Sequence, residues 1–417
     1  MRFQAPRGTE DVLPAQSHRW QFVERTFAEL ARRYGYREIR TPTFEDTDLF
    51  VRSSGETSEV VSKQMYSFID KGGREITLKP EGTAPAMRAL IEHSLCPPGT
   101  VERMYYITPV FRYERPQKGR LREPHQVGLE LVGSSSAAAD AEIIELTVRY
   151  FQAIGLSGVR AQINSLGRSE CRTKFREAIL KFAAPILKDS EPEFRAKAEK
   201  NPLRLLDTKD PALLEALQGA PPVTSFLEPE SKVRLEAIQE LLGEADVPYL
   251  LDTGIVRGLD YYTETVFEVH AEGIGAQSAL CGGGRYDDLV TELGGSPTPS
   301  VGMGAGIERA LLAMELVGAD APEPKADAFL IGSSETAAQV RKTVRELRNA
   351  GLCILQDIDF RSWKSQLRQA DKSGARFAII LGEDEAKAGN LTLKDLSSGE
   401  QVSASLERVV ERLREQP

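Results

Sequence analysis

The sequence predicts an α+β fold, an antiparallel sheet with flanking helices that carries a helical insertion and is followed by a separate C-terminal α/β domain. Three observations predict it. Short β-rich stretches recur through the first part of the chain, with helices between and after them. Between 170 and 250 charged helical segments take over, with no strand signal of comparable strength. Beyond a Pro-rich linker the pattern becomes β-α-β-α-β, the alternation that builds a mostly parallel sheet.

The first long helix is expected over 17–34. Trp20, Val23, Phe27, Leu30, Ala31 and Tyr34 recur at helical spacing, Ser17 is placed to cap the start and Gly35 to close the end. A strand-like Glu38-Ile39-Arg40-Thr41 follows and is broken by Pro42. The β-rich stretches lie at 75–78, 101–111, 127–132, 262–269 and 277–281, with helices at 139–154 and 306–317. Charged helices at 173–187, 191–200 and 231–242 form the insertion. Asp320-Ala321-Pro322-Glu323-Pro324-Lys325 is an acidic, Pro-rich linker. The expected domains are therefore 1–320, with the insertion at 170–250, a linker at 321–326, and 327–417. In the last, strands at 328–331, 352–356 and 377–381 alternate with helices at 335–350 and 361–372.

A chain of 417 residues exceeds one ordinary hydrophobic core, which fits that division. Its 41% apolar and 28% charged residues suit a folded soluble protein rather than a disordered one. No apolar run approaches the ~20 residues that span a bilayer. The opening Met1-Arg2-Phe3-Gln4-Ala5-Pro6-Arg7-Gly8 lacks the apolar stretch of a signal peptide, so a cytoplasmic protein with no membrane partner is expected. Cys96, Cys171, Cys281 and Cys353 have no paired spacing, nor do His18, His93, His125 and His270, and no metal centre or disulfide framework is expected. The net charge of −9 is uneven: residues 325–417 hold 15 basic and 14 acidic side chains, so the excess acid lies before them. A polyanion would bind at local basic patches, and DNA is not an expected partner.

Two stretches carry chemistry. Phe111-Arg112-Tyr113-Glu114-Arg115-Pro116-Gln117-Lys118-Gly119-Arg120-Leu121-Arg122 is a long hairpin loop between strands, with five basic residues against one acidic from 112 to 122. An arginine at a strand end suits bidentate phosphate binding, and a basic tip suits a nucleic-acid end. A solvated hairpin tip would share that composition. Ser300-Val301-Gly302-Met303-Gly304-Ala305-Gly306-Ile307-Glu308-Arg309 is a strand running into a helix, its alternate glycines allowing close approach of a ligand to the backbone. Taken alone, tight packing explains it equally well.

Together, Phe-Arg-x-Glu with its basic loop and the later Gly-x-Gly-x-Glu-Arg resemble motifs 2 and 3 of class II aminoacyl-tRNA synthetases, and Thr41-Pro42-Thr43-Phe44 looks like motif 1. Lys79-Pro80-Glu81-Gly82-Thr83, Arg257-Gly258-Leu259-Asp260-Tyr261-Tyr262 and Gly282-Gly283-Gly284-Arg285-Tyr286-Asp287 are similar to segments peculiar to histidyl-tRNA synthetases. So are Asn164-Ser165-Leu166-Gly167 and Asn201-Pro202-Leu203-Arg204-Leu205-Leu206-Asp207. The resemblance runs from Pro6-Arg7-Gly8-Thr9 into the C-terminal domain.

That resemblance implies a class II synthetase sheet and an enzyme that uses ATP, with Mg2+ carried on the nucleotide, to join L-histidine to tRNA(His). It implies a homodimer through motif 1. It assigns Arg112 and Arg257 to the α-phosphate, Arg257 standing where other class II enzymes place an extra metal ion, and Glu114 and Arg309 to ATP. It assigns Glu130 and Tyr262 to the imidazole, with Glu81, Thr83, Gln126, Tyr261 and Arg257 around the amino acid. Arg115, Gln117, Lys118 and Arg120 would meet the tRNA acceptor end.

Three residue-level readings sit beside these assignments. His125 is expected as a packed histidine rather than a general base. Arg361, Lys364, Arg368, Lys372 and Arg376, at steps of three and four, would share one helix face, which is either a solvated stripe or an anticodon contact. Pro124 stands where the family normally offers a Phe that packs on adenine, which predicts weaker stacking there. A related family of regulatory subunits binds histidine without charging tRNA, but those proteins lack the C-terminal domain and degrade the segments retained here.

Overall fold

The computed structural model describes residues 3–54, 60–115, 121–188, 190–200, 202–205, 215, 217, 219–255, 261–275 and 279–415. They fall into two compact units, Met1–Pro322 and Glu323–Pro417. In the first, the described strands are β1 (Arg37–Glu38), β2 (Phe44–Asp46), β3 (Tyr66–Ile69), β4 (Glu75–Leu78), β5 (Glu102–Pro109), β6 (His125–Val132), β7 (Arg160–Ser165), β8 (Tyr249–Leu251), β9 (Thr265–His270), β10 (Ala279–Arg285) and β11 (Ser300–Gly306).

Among the described residues, eight of these strands form one sheet in the order β1-β5-β6-β11-β10-β9-β7-β8. The inner pairs are antiparallel. Only the edge pairs, β1 with β5 and β7 with β8, run parallel. Side chains alternate across a strand, so each strand of such a sheet offers one face to a core and the other to a site. Helices Pro14–Arg33, Ala137–Ala153 and Ile307–Val317 pack on one face. Phe27 lies edge-on to Tyr105 of β5 and to Tyr150. The opposite face carries Tyr106, Gln126 and Glu130.

Several local expectations are corrected. The first helix starts at Pro14, whose fixed φ suits a first helical position, and Ser17 bonds back to the Pro14 carbonyl instead of capping. Gly35, at φ +83°, does close the end. The strand expected at 38–41 is only Arg37–Glu38, extended by the Ile39 N–H donating to the Tyr105 carbonyl. Residues 75–78 form a strand, but in a separate three-stranded sheet ordered β2-β4-β3. The short strands β2, β3, β7 and β8 escaped notice, being brief or flanked by stronger helical signals. Helices Ser169–Lys188, Pro192–Lys200 and Pro229–Glu244 occupy the region expected as helical.

In the second unit, β12 (Ala328–Gly332), β13 (Ile354–Gln356), β14 (Phe377–Leu381), β15 (Leu391–Asp395) and β16 (Gln401–Ala404) form a sheet in the order β13-β12-β14-β15-β16. The first three are parallel, as the alternation required, but β15 and β16 add an antiparallel hairpin. Both faces are covered: Ala328 and Leu330 enter one cluster, Phe329 and Ile331 another.

One buried ion pair ties the main sheet to its helices. Arg285, at the end of β10, donates to Asp140 Oδ2 at 2.6 Å and Oδ1 at 3.1 Å, and neither side chain is exposed. The Ser134 carbonyl (2.9 Å), Asp287 (3.0 Å) and the Ser136 carbonyl (3.3 Å) also accept from it. Arg234 also reaches Asp140, at 3.3 Å. Removing one partner leaves an uncompensated buried charge, so Arg285→Ala is expected to lower unfolding stability by ~3–5 kcal/mol. A urea midpoint unchanged from that of the wild type would contradict this.

Candidate active site

The site face of the sheet is a floor stripped of side chains. Gly302 sits opposite Glu130, Gly304 opposite Gly128, and Gly306 opposite Gln126. Gly284 pairs with Gly302 on the other side. These glycines are matters of space, not of φ. A Cβ on Gly302 would overlap the Glu130 carboxylate, one on Gly304 the Gln126 amide, and one on Gly128 the Tyr106 phenol. A Cβ on Gly284 would stand 2.8 Å from the Tyr262 ring. The alternation Gln126-x-Gly128-x-Glu130 thus places two polar side chains on a bare surface.

Glu130 is fully buried. Its Oε2 accepts a hydrogen bond from the Tyr286 hydroxyl. Its Oε1 is buried and has no hydrogen-bond partner among the described residues. Burial pushes the carboxyl up to about 8, with the hydroxyls of Tyr286, Thr83 and Tyr106 easing its charge and Glu81 opposing it. Burial likewise raises Tyr106, Tyr261 and Tyr286 well above the usual phenol value, keeping all three as donors. A desolvated carboxyl oxygen without a hydrogen-bond partner is costly unless a ligand completes it. Tyr261 lies 4.8 Å from Tyr262 and 5.6 Å from Tyr286, ring centre to ring centre, so an aromatic wall stands next to that oxygen.

Glu81 and Thr83 open the helix Thr83–Glu92 at the edge of this floor. Glu81 accepts from the Thr83 and Ala84 N–H groups at 2.6 and 2.8 Å, a helix-end cap. Burial still raises its carboxyl, against those bonds and the nearby Arg112. The carboxylate keeps lone pairs for a cationic group. Gln126 Oε1 accepts from the Gly82 N–H at 3.2 Å. Arg112 follows β5, its Nε donating to the Pro80 carbonyl at 2.7 Å and its Nη1 4.0 Å from Glu114. Arg122 stacks on the Tyr113 ring at 4.0 Å and holds the base of the loop. Arg115 is exposed.

Arg309 occupies the first turn of Ile307–Val317, directly after the glycine strand. Its neighbour Glu308 accepts from the His125 backbone N–H at 2.9 Å and pairs with Nδ1 at 3.0 Å. His125, expected as a packed histidine, is half-buried and its ring also hydrogen-bonds Glu308. Its hydrogen bond to Glu308 raises its pKa, and it stands edge-on to Trp20. The structure brings Glu81, Thr83, Gln126, Glu130, Tyr261 and Tyr262 together, with Arg112 beside them. Arg257, Gln117, Lys118 and Arg120 lie outside the described residues.

The basic series of the second unit is not one helix face. The helix spans Trp363–Lys372 and includes only Lys364, Arg368 and Lys372. Arg361 precedes it and pairs with buried Asp357 at 2.9 Å. Arg376 follows Gly374, its guanidinium 5.2 Å from the Phe377 ring centre. Sequence reasoning also missed Tyr106 and Tyr286 as site residues. Tyr286 follows Arg285, so strand alternation sends the arginine to the helices and the phenol to the site. Tyr106 has a fainter signal, the two glycines, Gly82 and Gly128, that leave room for its ring.

The family model described as "Histidyl-tRNA synthetase" matches residues 8–310, and one described as "Anticodon binding domain" matches 327–416. The chain is 44% identical over 411 residues to a histidine–tRNA ligase of Geobacillus thermodenitrificans, covering 97% of this chain and 96% of that protein. It is 44% identical to one from Synechococcus elongatus, over 95% of this chain and 92% of that protein. Among solved structures, apo S. aureus histidyl-tRNA synthetase superposes with a TM-score of 0.83 at 34% identity, covering 99% of this chain and all of that one.

The buried carboxyl generates a pH test. Its value of about 8 lies above the ordinary 4.5, so the folded state binds its proton more tightly than the unfolded state does. The stability this contributes is complete below the ordinary value and is lost as pH rises through the folded one. Without ligand, wild type is therefore expected to lose stability relative to Glu130→Gln between pH 5 and 8.5 (about the span of the two values). Parallel urea midpoints across that range would contradict the burial.

Proposed function

The chain belongs to the histidyl-tRNA synthetase family, and from that membership we propose how its site holds and activates histidine. It is a histidine–tRNA ligase, which joins histidine to tRNA(His) in an ATP-dependent reaction by way of histidyl-adenylate, releasing pyrophosphate and then AMP. The single observation that supports our reading of the pocket is the buried Glu130 oxygen without a partner. In this reading Glu130 accepts one ring N–H of the substrate and Tyr262 meets the other ring nitrogen. Glu81, Thr83, Gln126 and Tyr261 surround the α-amino group. A pocket bonded to both ring nitrogens rejects an isostere by leaving its own buried polar groups unpaired, worth ~10⁴–10⁵ in discrimination.

When the substrate carboxylate attacks the α-phosphate, negative charge builds on the phosphate oxygens and fixed cations do the stabilising. Arg112 and Arg257 take that role. The Pro80 carbonyl orients Arg112 through its Nε and leaves the terminal nitrogens for the phosphate. Glu114 and Arg309 serve ATP, and Mg2+ enters with the triphosphate, held mostly by nucleotide and water. Arg115, Gln117, Lys118 and Arg120 guide the tRNA acceptor end, while the second unit reads the anticodon, Arg361, Lys364 and Arg368 being candidate contacts.

We place the working enzyme in the cytoplasm as a homodimer. Phe44 on β2 and Phe68 and Ile69 on β3 are exposed apolar side chains next to the motif-1 segment that a second copy would cover. Among the described residues, no helix is long and apolar enough to cross a membrane.

Amino-acid-dependent ATP–pyrophosphate exchange tests the pocket. Offered each amino acid in turn, the enzyme is expected to respond to histidine alone. Glu130→Gln should raise the KM for histidine far more than that for ATP; equal losses for both would contradict the assignment. Arg257→Ala should lower the exchange rate ~10²–10³-fold, the loss of one pre-aimed cation. Exchange at the wild-type rate would remove Arg257 from the mechanism.

A further inference from the structure

The stem of the helical insertion is bonded to the strand entry that carries the tyrosine pair. On the entry side, helix Ser169–Lys188 begins beside β9, and Arg172 Nη1 donates to the Tyr262 carbonyl at 2.9 Å. On the exit side, Glu228 accepts from the Cys171 N–H at 2.9 Å, binding the two stems to each other. Two residues beyond Tyr262, the buried Glu264 collects both stems again. Its Oε1 accepts from Arg168 at 3.2 Å and from Ser231 at 3.0 Å, its Oε2 from Ser165 at 3.5 Å, and its carbonyl from the Leu166 N–H at 2.7 Å.

Within this group Arg172 is unusual. Its Nε is buried without a partner among the described residues, its side chain is 19% exposed, and Asp288 stands 3.9 Å from Nη2. Arg176, one turn on, also has a buried Nε with no partner. A guanidinium so largely withdrawn from water is held there by what it bonds, and its closest bond is to the backbone of Tyr262. The peptide carbonyl of Tyr262 fixes the plane from which its ring projects over Gly284.

We infer that Arg172 is a positioning residue for histidine recognition, setting Tyr262 against the imidazole from the stem of the insertion. The inference rests on the reading of Tyr262 as a ring contact. It makes the insertion's seating a determinant of amino-acid affinity and leaves ATP binding to other elements.

The test uses the full-length enzyme in histidine-dependent ATP–pyrophosphate exchange. Arg172→Met keeps the aliphatic bulk and removes every donor, while Arg172→Lys keeps one donor for the carbonyl. Arg172→Met is expected to raise the KM for histidine about tenfold, the worth of one charge-assisted hydrogen bond, and that for ATP less than about twofold. Arg172→Lys should recover much of the loss. Tyr262→Phe should also raise the histidine KM, and the double variant Tyr262→Phe/Arg172→Met should fall well short of the product of the two single effects. Equal shifts for histidine and ATP, or fully multiplicative effects, would overturn the inference. If Arg172→Met does not fold, Arg172→Gln takes its place: a selective rise in histidine KM is expected, and no rise, or an equal rise for histidine and ATP, would overturn the inference. Tyr262→Phe without effect on histidine would instead overturn the reading of Tyr262, and the inference with it.

Discussion

A carboxyl group wholly buried on one face of a sheet constrains everything around it. Glu130 lies in the middle of the sheet, on a face from which neighbouring Cβ atoms have been removed, with one oxygen bonded to Tyr286 and the other unpartnered among the described residues. Such a group is costly in an empty site and becomes an asset only when a donor of suitable shape arrives. The tyrosine wall, the glycine floor and the capped helix end beside it all limit which donor fits.

The fold sets this up by strand alternation. On β6, Val127, Leu129 and Leu131 face the helices, while Gln126 and Glu130 face the site. At the end of β10 the same rule divides neighbours: Arg285 is locked to Asp140, and Tyr286 is delivered to Glu130. One short segment thus links core electrostatics to the pocket. Glu81 caps a helix through two backbone N–H groups and keeps further lone pairs for the contact proposed for it. The proposed phosphate side differs in kind. Arg112 is oriented by a backbone carbonyl and remains partly exposed, as a cation waiting for a mobile polyanion should be.

Much of this was legible in the sequence because it is periodic or ordered. The alternate glycines of 302–306 and the β-α-β-α-β run each declare their geometry locally. What escaped depends on distant partners. Nothing near Tyr286 says that its hydroxyl meets Glu130, and nothing near Glu264 says that two distant segments converge on it. The helical spacing of the basic residues from Arg361 to Arg376 was real but misleading, since the helix begins at Trp363 and ends at Lys372. Residues 75–78 gave a correct strand and a wrong sheet, because pairing partners are not written in a strand's own residues.

The proposed pairing of Glu130 with the substrate ring can be observed directly, using histidine labelled with ¹⁵N at both ring positions and bound to the wild-type enzyme. An opposed carboxylate in a water-poor pocket favours the charged form of the ring, so the bound imidazole should remain protonated at both nitrogens well above its ordinary value of ~6.5. Ring shifts that stay imidazolium-like as the pH is raised past 8 (about the value to which burial pushes the Glu130 carboxyl) are the expected result. A bound ring that loses its proton near the ordinary value, as histidine does in water, would mean that Glu130 is not its partner.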